Sequence, residues 1–214
     1  MVALMALAGL ICGRFIGALA DSYDEDPPHY DQGRARLLAR SPRTSVWRAA
    51  APAGGAVELV TAAVAALVAW RLGLPYVPFA VIGTALAVID WRTCLLPDAI
   101  TLPAYPIMVV ALAPTGELPR ALAGGAALTA VYAVLWFVKP DAMGLGDVKL
   151  AGLIGLAAGA LGWQAWIVAA FCGQALGALY GVALLLTRRG TRHTQFPFGP
   201  FMLLGASTTL CLGW

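Results

Sequence analysis

Residues 143–161 read MGLGDVKLAGLIGLAAGAL. A glycine-bracketed turn opens onto Asp147, and the chain then runs through Leu, Ile, Ala and Gly to Leu161 with Lys149 as its one charge. Such a run is a membrane span or a wholly buried helix, and a carboxylate at its boundary is costly enough to imply a task. Residues 87–103, AVIDWRTCLLPDAITLP, have the complementary form, a hydrophobic run that closes on Asp90. One acid closing an apolar run and another opening one are what a carboxylate pair brought together by packed helices requires.

Composition agrees with that reading. Hydrophobic residues make up 60% of the chain and charged ones 12%, a balance foreign to soluble domains. The fold class expected is an all-α polytopic membrane protein of about eight transmembrane helices, a single membrane-embedded domain over 1–214. Cys12, Cys94, Cys172 and Cys211 show no C-x-x-C spacing and indicate neither a zinc site nor a disulfide framework. The net charge of +3 comes from basic residues in loops between apolar runs, where topology alone puts them, so no nucleic-acid partner is implied. The first run lacks a basic start and carries Arg14, which makes it a span and not a secretory signal.

Eight segments qualify as spans, at about 2–20, 55–72, 76–91, 99–114, 120–138, 149–161, 163–187 and 200–213. The sixth and eighth are short and Gly-rich or Gly-ended, which leaves a re-entrant or half-buried element open there. Arg34, Arg36, Arg40, Arg43, Arg48, Lys139, Arg188, Arg189 and Arg192 fall in loops of one side, which the positive-inside rule makes cytoplasmic. The opposite connections are nearly uncharged apart from Arg71, Glu117 and Arg120. Alternation then puts both termini outside and brings Asp90 and Asp147 to the cytoplasmic side together. Residues 21–53, rich in Pro and in charges of both signs, read as a cytoplasmic loop within the domain.

Two carboxyl groups that share one proton can act as general base toward water and as acid toward a peptide carbonyl. Asp90 and Asp147 are the candidates for that work. Asp90 is expected at a helix C-terminus and Asp147 at a helix N-terminus, so the helix dipoles would leave the shared proton on Asp90. Gly144 and Gly146 allow close approach of an extended peptide. Lys149 either tunes Asp147, holds a lipid phosphate or snorkels to water.

Asp90, Pro97 and Asp98 in a D-x(6)-P-D arrangement, the later GxGDxKL of Gly144 to Leu150 and the PFGP of Pro197 to Pro200 together resemble the type IV prepilin peptidases. GLICGRFIGALADSY (9–23) and GGAVELVTA (54–62) are similar to that family's opening motifs. The resemblance implies that Asp90 and Asp147 are catalytic. Gly144, Gly146, Lys149, Asp98 and Glu58 complete the candidate site on the substrate side. The implied activity is cleavage of the basic leader of prepilins or pilin-like proteins, after a glycine, at the cytoplasmic face of the inner membrane. Proteolysis implies no cofactor and no metal. Longer members carry paired zinc-binding C-x-x-C motifs in the first cytoplasmic loop and methylate the new N-terminus with S-adenosylmethionine. Residues 21–53 contain no cysteine, so that cofactor is implied only if methyl transfer is retained.

Other residues carry plainer readings. Asp98 follows Pro97, where an aspartate commonly caps a helix. Glu58 faces a wet cavity or pairs with a basic residue, and Arg92 serves equally as a topology anchor. Asp21, Asp24, Glu25 and Asp26 form an acidic group suited to a basic leader, or simply a solvated loop. His29 and His193 lack ligand partners in the sequence. Trp47, Trp70, Trp91, Trp136, Trp163, Trp166 and Trp214 mark span ends. Gly173, Gly177 and Gly181 allow close helix packing. Membrane lipid is the expected surrounding, and the alternative to a peptidase is a non-enzymatic small transporter or a scaffold of a pilus or secretion machine.

Overall fold

The computed structural model describes residues 2–25, 54–140, 143–187 and 196–212. Expectations for Asp26, His29, Arg34, Arg36, Arg40, Arg43, Trp47, Arg48, Arg188, Arg189, Arg192, His193 and Trp214 lie outside the described residues, as do those for the side chains of Asp21, Asp24, Glu25 and Cys211.

Among the described residues each apolar run becomes a helix, and no strand is present. The helices are α1 (Val2–Glu25), α2 (Gly54–Arg71), α3 (Val77–Thr93), α4 (Asp98–Leu112), α5 (Leu118–Val138), α6 (Leu145–Leu161), α7 (Trp163–Leu186) and α8 (Gly199–Cys211), with 3-10 turns at Leu74–Tyr76 and Ala113–Thr115. Four stretches are long and apolar enough to cross a membrane: Leu74–Thr93, Asp98–Thr115, Leu118–Val138 and Trp163–Leu186. Proline sits in the first turn of α3, α5 and α8, where its missing N–H would lack an intrahelical partner anyway. Gly162, with φ 140, separates α6 from α7.

The sixth run is one continuous helix, enclosed by its neighbours. Helix α6 starts at Leu145, ahead of the apolar run proper, and is buried at Val148 and at every residue from Leu150 to Ala160. Its glycines explain how so apolar a helix can be enclosed. A Cβ on Gly124 of α5 would stand 2.7 Å from the Gly155 carbonyl oxygen and 2.9 Å from Gly159 Cα. The two backbones therefore meet with no side chain between them. At the far end of this antiparallel seam, Arg120 donates from Nε to the Gly159 carbonyl at 3.0 Å and from Nη2 to that of Ala160 at 2.8 Å. These are carbonyls of the last turn of α6, which have no partner within the helix, and Glu117 at 3.2 Å balances the arginine's charge.

Two further antiparallel seams complete the bundle. Gly9 and Gly13 of α1 pack onto Ala62 and Glu58 of α2, and Gly173 of α7 packs onto Met202 and Gly205 of α8. The close packing expected of the α7 glycines is present at Gly173, against Met202, and at Gly177, against the Phe198 ring. Trp70 and Trp163 are exposed near helix ends, as interfacial residues are. Trp166 instead donates its Nε1–H to the Gly124 carbonyl at 2.8 Å, joining α7 to α5.

Candidate active site

Asp90 lies in the last turn of α3, and its backbone carbonyl accepts the N–H of Cys94 at 2.8 Å. Cys94 has φ 52, the one positive value at a non-glycine among the described residues. This left-handed residue stops α3 just after Asp90 and turns the chain into Leu95–Pro97. The Asp90 carboxylate is buried, with the residue 4% exposed. Its Oδ2 accepts the backbone N–H of Gly199 at 2.9 Å. Gly199 is the first residue of α8, so a second helix N-terminus points at an acid that ends a first helix.

Only glycine fits there. A Cβ at residue 199 would stand 2.8 Å from Asp90 Oδ2 and 3.3 Å from Leu150 Cδ2. The turn is braced by rings. Phe201 stacks on Tyr180 at 4.7 Å between centroids, and Trp91 and Phe196 approach Phe201 at 6.3 and 6.2 Å.

Asp147 is the third residue of α6, and its Oδ2 accepts the N–H of Gly144 at 3.1 Å while its own N–H donates to the Gly144 carbonyl at 3.1 Å. The carboxylate thereby satisfies a donor ahead of the first helical turn, where negative charge is favoured. A Cβ on Gly146 would stand 2.8 Å from Leu96 Cβ, so the loop leaving Asp90 lies against the turn entering Asp147. Leu150, one turn beyond Asp147, shares the Gly199 contact with Asp90. Leu86 of α3 and Leu150 and Leu153 of α6 also line one small apolar cavity, together with Met108 of α4 and Leu203 of α8. The end of α3 and the starts of α4, α6 and α8 thus converge at one end of the bundle.

The dipole asymmetry expected between the two acids is reduced by this arrangement. Asp90 closes α3, yet its carboxylate faces the N-terminus of α8, a partner distant in sequence. Asp98 is the first helical residue of α4, after Pro97 at the cap position, and its Oδ1 accepts a hydrogen bond from Lys149 Nζ. Lys149 is therefore held by an ion pair and does not simply reach for water. Glu58 lies 3.9 Å from Arg14 Nε, the paired alternative of its two readings. Its neighbour Val57 shares a buried cluster with Val88 and Ile89, which puts Glu58 at the Asp90 end of the bundle.

Three residues of this region were not singled out from sequence. Gly199 was visible only as part of PFGP, and Cys94 only as a small hydrophobe. Tyr132 of α5 is buried, and nothing in the local sequence marks it. Among the described residues no group of three His, Cys, Asp or Glu side chains is placed to hold a metal ion.

An all-helical bundle with several membrane-length apolar helices defines a class, the helical membrane proteins. The chain belongs within it to the type IV leader peptidase family, whose pattern matches residues 77–182, the span that holds both aspartates. It is 34% identical over 160 residues to a prepilin leader peptidase/N-methyltransferase of Pseudomonas putida, covering 69% of this chain and 54% of that protein. It is 32% identical over 158 residues to the protein of that name from Bacillus subtilis (strain 168), covering 71% and 62%. With the one from Escherichia coli (strain K12) it shares 36% over 138 residues, covering 60% and 59%. The matches thus span somewhat more than half the length of these relatives. No solved structure matches the chain.

Proposed function

We propose that the protein is a membrane aspartic endopeptidase that removes the basic leader of prepilins or pilin-like proteins at the cytoplasmic face of the inner membrane. The observation that carries this reading is the convergence of the ends of α3, α6 and α8, with Asp90 and Asp147 each accepting a glycine N–H there. One carboxylate takes a proton from water as the oxygen attacks the peptide carbonyl, and the other gives its proton to the carbonyl oxygen. Collapse of the tetrahedral intermediate breaks the C–N bond and returns a proton to the leaving amine. The shared proton belongs to the pair, so only pair-level titration steps are assignable.

The Gly144–Gly146 turn offers backbone that an extended peptide can approach, and Glu58, with the acidic group Asp21 to Asp26, suits a positively charged leader. The positive-inside distribution of arginines supports a cytoplasmic site and outward termini. Methyl transfer is not part of this proposal. The relatives' names join it to proteolysis, but two carboxylates account for peptide hydrolysis alone.

Co-expression with a tagged prepilin tests the reading through the size shift on leader removal. Asp90→Asn and Asp147→Asn should each abolish the shift while the protein still accumulates in the membrane. Normal processing by either variant would sink the assignment. Mass spectrometry of the mature N-terminus then reads the cleavage position and any methyl group together.

A further inference from the structure

Lys149 is the one charged residue in α6 beyond Asp147. Its neighbours Val148 and Leu150 are buried, while its own side chain is about one-third exposed at 32%. A cation in such a helix calls for a partner, and it has one in Asp98, 51 residues away in sequence. Helix α4 grips the same residue a second time, through the Tyr105 hydroxyl, which donates to the Lys149 carbonyl at 2.7 Å. That hydroxyl occupies the space a Cβ on Gly152 would need, so the crossing is built into both helices. A third contact, Leu96 on Gly146, lies just beside the ion pair.

All three contacts join the same two stretches. On one side is the segment from Leu96 to Tyr105 that follows Asp90, and on the other is the first part of α6 around Asp147. We infer that Asp98 and Lys149 are positioning residues, a clasp that registers the segment after Asp90 against the Gly144–Asp147 turn and so sets the spacing of the two carboxylates. They do this by binding each other and not by binding the peptide. Neither needs to touch the reacting atoms. The inference rests on the reading of Asp90 and Asp147 as the reacting pair.

The test uses the full chain in proteoliposomes with a purified prepilin. Asp98→Asn and Lys149→Met should each lower kcat by roughly tenfold or more, since displacement of about 1 Å can cost up to about a hundredfold, with KM unchanged. The double variant should be no slower than the slower single one, and Lys149→Arg should restore most of the rate. Losses that multiply in the double variant, or that appear in KM with kcat intact, would instead put the two residues on the substrate and overturn the inference.

A second measurement needs no substrate. Leu96→Cys and Gly146→Cys, with Cys12, Cys94, Cys172 and Cys211 replaced by Ser, should form a disulfide on mild oxidation once the 2.8 Å between the two Cβ positions opens by about 1 Å to the separation a relaxed bridge needs. Adding Lys149→Met should reduce its yield several-fold. Equal trapping with and without Lys149 overturns the clasp even if cleavage proceeds, whereas a wild-type protein that cleaves no prepilin overturns the peptidase reading and leaves trapping to decide on the clasp.

Discussion

Gly199→Ala is the smallest change that separates Asp90 from its backbone donor. The added methyl carbon would stand 2.8 Å from Oδ2, 3.4 Å from Cγ of Asp90 and 3.3 Å from Leu150 Cδ2, with the chain in helical geometry at that point. A carbon cannot remain that close to a carboxylate oxygen, so either the carboxylate or the start of α8 must retreat by several tenths of an ångström. The 2.9 Å bond from Gly199 N–H then lengthens, and a hydrogen bond to a charged group contributes about 1.5–3 kcal/mol. For a reacting group, misplacement approaching 1 Å lowers the rate by up to about a hundredfold. The expected result is a fall in kcat on the order of tenfold to a hundredfold, with KM little changed. Helix α8 stays anchored through Gly205 on Gly173, so the variant should still fold. The control is Gly181→Ala, where a Cβ would meet the Phe196 ring at an ordinary 3.6 Å and near-normal activity is expected. Leader removal is followed by gel over a range of prepilin concentrations, beside thermal melts in detergent. A folded Gly199→Ala protein with undiminished kcat would refute the reasoning that Asp90 works from the position this glycine gives it.

Three further outcomes follow from the packing. Gly155→Ala drives a methyl carbon to within 2.9 Å of Gly125 Cα and against the Gly124 carbonyl; with backbone on both sides the loss should reach the upper part of the roughly 1–3 kcal/mol typical of overpacking, read as a lowered melting temperature. Arg120→Met removes both hydrogen bonds to the end of α6; stability should fall by about 1.5–3 kcal/mol while kcat holds, because the change is at the end of the bundle away from Asp147. Cys94→Val puts a β-branched residue at φ 52 and should destabilise by about 1–3 kcal/mol, whereas Cys94→Gly relieves that strain and should melt no lower than the parent.

Much of the fold was legible because membrane helices announce themselves by length and hydropathy, and the eight apolar runs each became a helix. The end of the bundle shared by Asp90 and Asp147 was legible for a related reason, since short links between successive spans force alternation. What could not be read was which faces meet. The mutual approach of Gly124 and Gly155 depends on rotation of two helices about their axes, and apolar residues nearly all round α6 leave no periodic signal to fix it. The Asp98–Lys149 pair was missed for the opposite reason. Each residue has a sufficient local explanation, a helix start for one and an interface for the other, and only the packing of α4 on α6 shows that they bind each other. Asp90 was read with the dipole of its own helix alone because its second partner lies 109 residues away.

The two acids are held by a common device reached from different directions. Asp147 reaches back to the glycine N–H of its own helix cap, and Asp90 reaches across to the glycine N–H that starts another helix. Backbone donors fixed by helix geometry do not reorient when charge moves between two carboxyl groups, which is the property a proton-sharing pair gains most from. The sites differ in their access to water: Asp90 is buried at 4% exposure, whereas Asp147 lies at a partly open turn. On the proposed function, water and peptide therefore arrive over the Gly144–Asp147 turn, and Asp90 meets them from beneath with its carboxylate already seated on Gly199. That division also explains why the bundle spends its most enclosed helix on α6. Burial from Leu150 to Ala160, with the far end held by Arg120, leaves the start of the helix, through Lys149, as the part open to a substrate.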